Sequence, residues 1–144
     1  MSNQTYKILA VDDLLDNLLL LQVLLEAEGF VVEVATSGRL ALNKIKASPP
    51  DLILLDIMMP EMDGYEVTQQ IRQDDKLPSI PILLVSACDR EEALEGLKLG
   101  ANDYIRKPLN IEELLAKISR VLQLEQSMNA GANFVVSLNR KTMS

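Results

Sequence analysis

The chain has 144 residues, 48% of them hydrophobic, enough for one domain that buries roughly two thirds of its unfolded surface. A formal charge of -7 argues against a nucleic-acid footprint, because phosphate backbones are bound by clustered Lys and Arg. A single cysteine, Cys88, excludes an intrachain disulfide, and with no histidine in the chain and no cysteine beside the acids the natural nucleophile is a carboxylate.

In chain order, the opening MSNQTYK lacks the basic flank and apolar core of a secretory signal. Residues 7–11, KILAV, read as a short apolar strand that delivers Asp12 and Asp13. The pattern then turns helical. Asn17, Leu20, Leu21, Leu24 and Leu25 share one face at three- and four-residue spacing, and Gly29 closes the helix. That assignment leaves Leu15, Leu18 and Leu19 pointing outward, as a docking surface or as a face packed on a neighbour in a larger assembly. Asp16, Asn17 and Gln22 interrupt the leucines, so the stretch is too short for a bilayer span, and a soluble, cytoplasmic protein is expected. Residues 30–35, FVVEVA, form an edge strand, since Glu33 breaks its apolar face. Thr36 or Ser37 caps the next helix, with Leu40, Ala41 and Ile45 as its inner stripe.

At 52–55 an apolar run too short for a helix, bracketed by Pro49, Pro50 and Pro60, reads as a strand buried on both faces that ends in Asp56. The loop 57–64, IMMPEMDG, holds a Pro and a Gly that fix backbone angles, so it can aim a carbonyl oxygen at a cation. Tyr65, Val67, Thr68 and Ile71 carry a helix to a polar break at 73–79. Residues 80–85, IPILLV, are the fourth strand, with Ser86 at its end. Asp89 and Glu92 mark a capped helix start, Leu94, Leu97 and Leu99 are its apolar positions, and Gly100 ends it. A fifth strand, DYIR at 103–106, precedes Lys107 and Pro108. Asn110 with Glu113 opens the last helix, in which Ile111, Leu114, Leu115, Ile118, Val121 and Leu122 keep a helical period. The period fades near Gln126, so one domain is expected over 1–126, with 127–144 as a tail or linker. Five strands alternating with five helices imply right-handed crossovers and a doubly wound parallel α/β sheet covered on both faces.

The strand ends share a chemistry. Ligands of open parallel sheets bind at the carboxyl ends of the strands, where Asp12, Asp13 and Asp56 would converge. Two like charges about 4 Å apart repel by about 4 kcal/mol at an effective dielectric of about 20, so the cluster requires a cation or a shifted pKa. Oxygen-only ligands suit Mg²⁺ or Mn²⁺, with waters completing the shell. Lys107 adds a point charge and Ser86 a hydroxyl donor, which together suit a tetrahedral anion. The site reads as built for a phosphoryl group, with Asp56 as the carboxylate nucleophile that would form an aspartyl phosphate.

The motifs ILAVDD at 8–13, DLILLDIMMPEMDG at 51–64, ILLVSA at 82–87 and GANDYIRKP at 100–108 resemble those of the receiver domains of two-component response regulators. The resemblance spans about residues 7–126 and implies a flavodoxin-like (βα)5 sheet with strand order 2-1-3-4-5. It implies that Asp56 is the phosphoacceptor and that Asp13, Asp56 and the Met58 backbone carbonyl bind Mg²⁺ directly, with Asp12 acting mostly through water. Lys107 would hold the phosphoryl group, next to a cis bond to Pro108, while Ser86 and Tyr104 occupy the switch positions. Met58 and Cys88 would flank the phosphoryl group without orienting an attacking water, which implies a long-lived aspartyl phosphate. The implied partners are a sensor histidine kinase or a histidine phosphotransfer protein. A homodimer through the fourth helix, fifth strand and fifth helix is also implied. A phosphatase turning over through an aspartyl phosphate is a different reading, opposed by Met58, since such enzymes often place a second acid there. A receiver-like interaction domain that is never phosphorylated is opposed by the completeness of the site.

Overall fold

The apolar runs and amphipathic stretches form ten alternating elements: β1 (Lys7–Val11), α1 (Leu15–Ala27), β2 (Val31–Ala35), α2 (Gly38–Ala47), β3 (Leu52–Asp56), α3 (Gly64–Gln73), β4 (Ile82–Ser86), α4 (Arg90–Lys98), β5 (Asp103–Arg106) and α5 (Ile111–Ala130). The computed structural model describes residues 5–130 other than Cys88, with side-chain surroundings as far as Gln123. All strand pairs are parallel, in the order β2-β1-β3-β4-β5. Among the described residues no helix is long and apolar enough to cross a membrane.

Successive strand residues leave for opposite faces, and here both faces are covered. Ile8, Ala10, Leu52, Leu54, Leu83 and Val85 pack under α1 and α5. Leu9, Val11, Ile53, Leu55, Ile82 and Leu84 pack with α2 and α3. Two cores back to back explain why β1, β3 and β4 read as unbroken apolar runs rather than alternating ones. At the sheet edges, helix side chains reach the outer carbonyls. Lys44 Nζ donates to the Val34 oxygen at 2.6 Å, Gln22 Nε2 to Val32 at 3.2 Å and Lys117 Nζ to Tyr104 at 2.7 Å. Three of the outer carbonyls that could template pairing with another chain are thereby occupied.

Side-chain caps set the starts of α2, α3, α4 and α5. Ser37 accepts from the Leu40 amide, Asp89 from Glu92 and Asn110 from Glu113, as the spacing predicts. Asp63 and Glu66 form a reciprocal capping box on α3 that the sequence reading missed.

Three helices are rotated or packed differently from expectation. On α1 the buried stripe is Leu18, Leu21 and Leu25. Leu18, expected outward, is fully buried, whereas Leu20 is 61% exposed, Leu24 is 36% exposed and Asn17 also faces solvent. The helix carries leucine all round, so two stripes fit the 3.6-residue period equally well, and its docking on the sheet decides between them. On α2, Leu40 is exposed and Leu42 takes its place inside. On α4 the residues turned to the sheet are Ala93 and Gly96, with Leu94 exposed and Leu97 and Leu99 only partly buried. A Cβ on Gly96 would come 2.1 Å from Leu84 Cδ1, so a larger residue there would force the Leu84 side chain to move. The last helix buries Leu114, Ile118, Val121 and Leu122 as expected, but it runs to Ala130, beyond the limit expected near Gln126. Of the expected tail, residues 131–144 lie outside the described residues.

The rotation of α1 is testable by truncation. Leu18→Ala should lower the unfolding free energy in urea by about 2–5 kcal/mol, and Leu20→Ala should change it by no more than about 0.5 kcal/mol. The reverse ranking would contradict the observed rotation.

Candidate functional site

The pairing of β1 with β3 sets Ala10 beside Leu54 and Val11 beside Leu55. One step further, Asp12 and Asp56 emerge side by side at the carboxyl ends of neighbouring strands. The Asp12 amide donates to the Ala35 carbonyl at 3.2 Å, which carries the ladder one residue past β1. By the two-residue period both carboxylates follow the side of the sheet that Ala10 and Leu54 occupy. Asp12 and Asp56 are 5% and 4% exposed, and Asp13 is exposed. One carboxylate oxygen from each of the three lies within 4.8 Å of the others.

Lys107 reaches this cluster from β5. Its amide donates to the Ser86 carbonyl at 2.8 Å, and its peptide bond to Pro108 is cis. The ammonium stands 3.5 Å from both Asp12 Oδ2 and Asp56 Oδ2. Asp12 Oδ2 also accepts from Asn17 Nδ2 at 3.2 Å and Asp12 Oδ1 from the Leu14 amide at 2.9 Å. Asn17 was read as a core-facing residue. Its amide five positions after Asp12, in a leucine-rich helix, was the signal for a site residue instead. The Met58 amide donates to Asp56 Oδ1 at 3.3 Å, and the Met58 side chain is 60% exposed.

The loop after β3 folds back on the strand end, where a Cβ on Gly64 would come 2.6 Å from the Asp56 carbonyl oxygen, so only glycine fits. The Gly64 amide donates to Ile57 at 2.9 Å, which closes the turn. Ser86 is buried at the end of β4, one position past the register partner of Asp56. Tyr104 is half-buried in β5 opposite Leu84. Lys117 sits 5.2 Å from the Tyr104 ring centroid, donates to the Tyr104 carbonyl and pairs with Asp103 at 3.5 Å. Of the three leucines expected on a docking surface, Leu15 and Leu19 are exposed, while Leu18 belongs to the core. Cys88 lies outside the described residues.

Burial pushes the Asp56 carboxyl above its ordinary range; the Lys107 ammonium pulls it partly back, and the Asp12 charge pushes it up again. One ammonium for three clustered carboxylates leaves net negative charge beside a buried acid. Three oxygen donors, with no nitrogen or sulfur among them, match the donor set of a hard divalent cation and fit Mg²⁺ or Mn²⁺.

A carboxyl whose folded pKa is raised binds more protons folded than unfolded, so its contribution to stability falls as pH rises from the unfolded pKa through the folded one. Asp56→Asn removes that loss. In metal-free buffer its urea midpoint should exceed that of the parent chain at pH 7, and the gap should shrink as pH falls toward the ordinary carboxylate value of 3.8. Equal midpoints at pH 7 would contradict the electrostatic account.

The family model of the response regulator receiver domain matches residues 8–119. The chain is 43% identical over 118 residues to the alkaline phosphatase synthesis transcriptional regulatory protein PhoP of Bacillus subtilis, a match that covers 81% of this chain and 48% of that protein. It thus spans about half the length of this curated relative. A CheY-like response regulator receiver domain protein from Methanospirillum hungatei superposes with a TM-score of 0.80 at 32% identity, over 87% of this chain and 99% of that one. The signal receiver domain of a signal transduction histidine kinase from Syntrophus aciditrophicus does so with a TM-score of 0.74 at 33% identity, over 81% and 89%. The chain belongs to the response regulator receiver domain family of two-component signalling.

Proposed function

We propose that this receiver takes a phosphoryl group onto Asp56 from the phosphohistidine of a sensor histidine kinase or histidine phosphotransfer protein. The change of shape that follows would control a partner protein or an attached domain. The supporting observation is the convergence of three carboxylates within 4.8 Å, with the Lys107 ammonium 3.5 Å from two of them.

A carboxylate oxygen of Asp56 attacks phosphorus, the bond from phosphorus to the donor imidazole breaks, and its electron pair returns to the imidazole nitrogen. The product is a mixed anhydride on Asp56. Asp13, Asp56 and the Met58 carbonyl would hold Mg²⁺ directly, with Asp12 acting through water. When bound, the ion neutralises charge on the phosphoryl oxygens. Lys107 exchanges its contact with Asp56 for one with a phosphoryl oxygen, and this charge-assisted bond is stronger than a neutral one. Ser86 donates its hydroxyl to the same group, drawing the loop after β4 inward, and Tyr104 turns into the space released. Inverting a 1:99 population takes about 5.5 kcal/mol of differential stabilisation, the scale of a few charge-assisted bonds. The domain works as a switch that assists its own phosphorylation and dephosphorylation.

For the donor we assign the exposed face of α1, the helix that follows Asp12 and Asp13, which carries exposed Leu15 and Leu19. For self-association we assign the face of α4, β5 and α5, which carries exposed Leu94 and Arg106.

Incubation with Mg²⁺ and acetyl phosphate should add one phosphoryl group per chain by intact mass. Asp56→Asn should abolish the adduct, and Lys107→Ala should slow its formation on the order of 100-fold. An undiminished adduct on Asp56→Asn would overturn the assignment. The double variant Leu15→Ser, Leu19→Ser should slow transfer from a phosphorylated histidine phosphotransfer protein while leaving labelling by acetyl phosphate intact. Unchanged rates from both donors would dispose of the docking surface.

A further inference from the structure

Little apolar material holds α4 to the sheet. Its buried residues are Ala93 and Gly96, where α1 buries Leu18, Leu21 and Leu25 and α3 buries Val67 and Ile71. A helix with so little buried apolar surface shifts at low cost, so polar ties decide where it sits. α3 supplies such ties near both ends. At the start of α4 the Tyr65 hydroxyl donates to the Glu92 carbonyl at 2.6 Å. Just past its end Arg72 donates to the Gly100 carbonyl at 2.9 Å and to Asn102 Oδ1 at 3.0 Å. The Tyr65 ring also lies against the helix, since a Cβ on Gly96 would meet its Cε1 at 3.5 Å.

Tyr65 joins two parts of the molecule that are distant in the chain. It follows Gly64, the residue pressed against the Asp56 carbonyl. Its partner Glu92 lies in the first turn of α4, directly after the loop that leaves Ser86. Asp89, at the end of that loop, accepts from the Glu92 amide at 3.2 Å. Loop and tyrosine therefore grip the same residue, one at its amide and the other at its carbonyl. Movement of the loop toward Asp56 pulls on the amide side, while the Tyr65 hydroxyl, fixed through Gly64 to the strand that carries the acid, holds the carbonyl side in place. Packing alone accounts for the ring, which lies on the core beneath α2 and α3. It does not account for a hydroxyl that reaches out to an exposed turn of another helix.

We propose that Tyr65 is a positioning residue for the switch: its hydroxyl latches the first turn of α4 and opposes the inward movement of the loop after β4 that accompanies loading of Asp56. This role rests on the proposed phosphoryl transfer to Asp56 and sets how readily the loaded arrangement is reached. A contact present in one arrangement and lost in the other shifts the balance between them by its own strength. Removing the hydroxyl therefore favours loading, whereas loss of a merely structural bond would leave loading unchanged or weaken it.

The test titrates the full chain with beryllium fluoride in Mg²⁺ buffer, a tetrahedral mimic of a phosphoryl group on a carboxylate, and compares the parent with Tyr65→Phe by calorimetry. Loss of one neutral hydrogen bond from the unloaded arrangement predicts binding about fivefold tighter in the variant. Hydrogen exchange gives a second readout. The α4 amides should exchange about fivefold faster in unloaded Tyr65→Phe than in the unloaded parent, and in the parent they should accelerate on loading. Arg72→Ala loosens the other end of α4, away from the loop, and should leave the affinity unchanged. Equal or weaker binding by Tyr65→Phe would overturn the latch, as would equal tightening in Arg72→Ala, because any loosening of α4 would then suffice. Should Tyr65→Phe fail to fold, the parent decides: α4 amides that exchange no faster when loaded would overturn the latch. A parent chain that binds no beryllium fluoride and takes no phosphoryl group from acetyl phosphate would overturn the assignment of Asp56 itself, and the latch with it.

Discussion

Two carboxylates taken out of water at neighbouring strand ends, with a third beside them and a single ammonium 3.5 Å from each of the buried pair, form the constraint around which this fold is arranged. Burial and mutual repulsion both oppose ionisation of Asp56, and Lys107 offsets this only in part. An apolar substitution at that position would relieve the strain. In the proposed function that acid is the group that takes positive charge and then a phosphoryl group, and the surrounding loops hold it there.

Each neighbouring element contributes to that holding. Parallel pairing of β1 with β3 fixes the lateral spacing of Asp12 and Asp56, and the two-residue period fixes the face. The Gly64 turn presses against the Asp56 carbonyl, and the capping box of Asp63 and Glu66 starts α3 immediately after it. β5 delivers Lys107 from the far side of the sheet through its bond to Ser86. Tyr104, on the same strand, is held from α5 by Lys117 through its carbonyl and its ring. Tyr104 thus lies three positions before Lys107 on the same stretch of chain, and Ser86 is tied to Lys107 by a backbone hydrogen bond.

Much of this was legible in the amino-acid sequence because strand ends are marked by an abrupt change from apolar to polar. The runs before Asp12, Asp56 and Ser86 could be only short buried strands, and their alternation with helical patterns implied a parallel sheet. The caps at Ser37, Asp89 and Asn110 were legible for a similar reason, since a capping side chain acts on a backbone amide a fixed distance along the chain. Helix rotation was less accessible. The period of α1 is nearly uniform in leucine, so Leu18 and Leu20 exchanged places between expectation and structure. On α4 the inner face carries Ala93 and Gly96, with Gly96 close against the Leu84 side chain, which reverses the usual preference for large apolar residues there. Asn17 escaped notice because its role depends on where α1 lies relative to Asp12, and an amide among leucines was the one local sign of it.

The central claim is that oxygens of Asp12, Asp13 and Asp56 are close enough to share one divalent cation. Calorimetric titration of the unphosphorylated chain with Mg²⁺ tests it most directly, with Asp13→Asn and Asp12→Asn beside the parent. The account predicts saturable binding of one ion per chain, weakened in both variants. Absence of binding, or affinities indifferent to both substitutions, would contradict it.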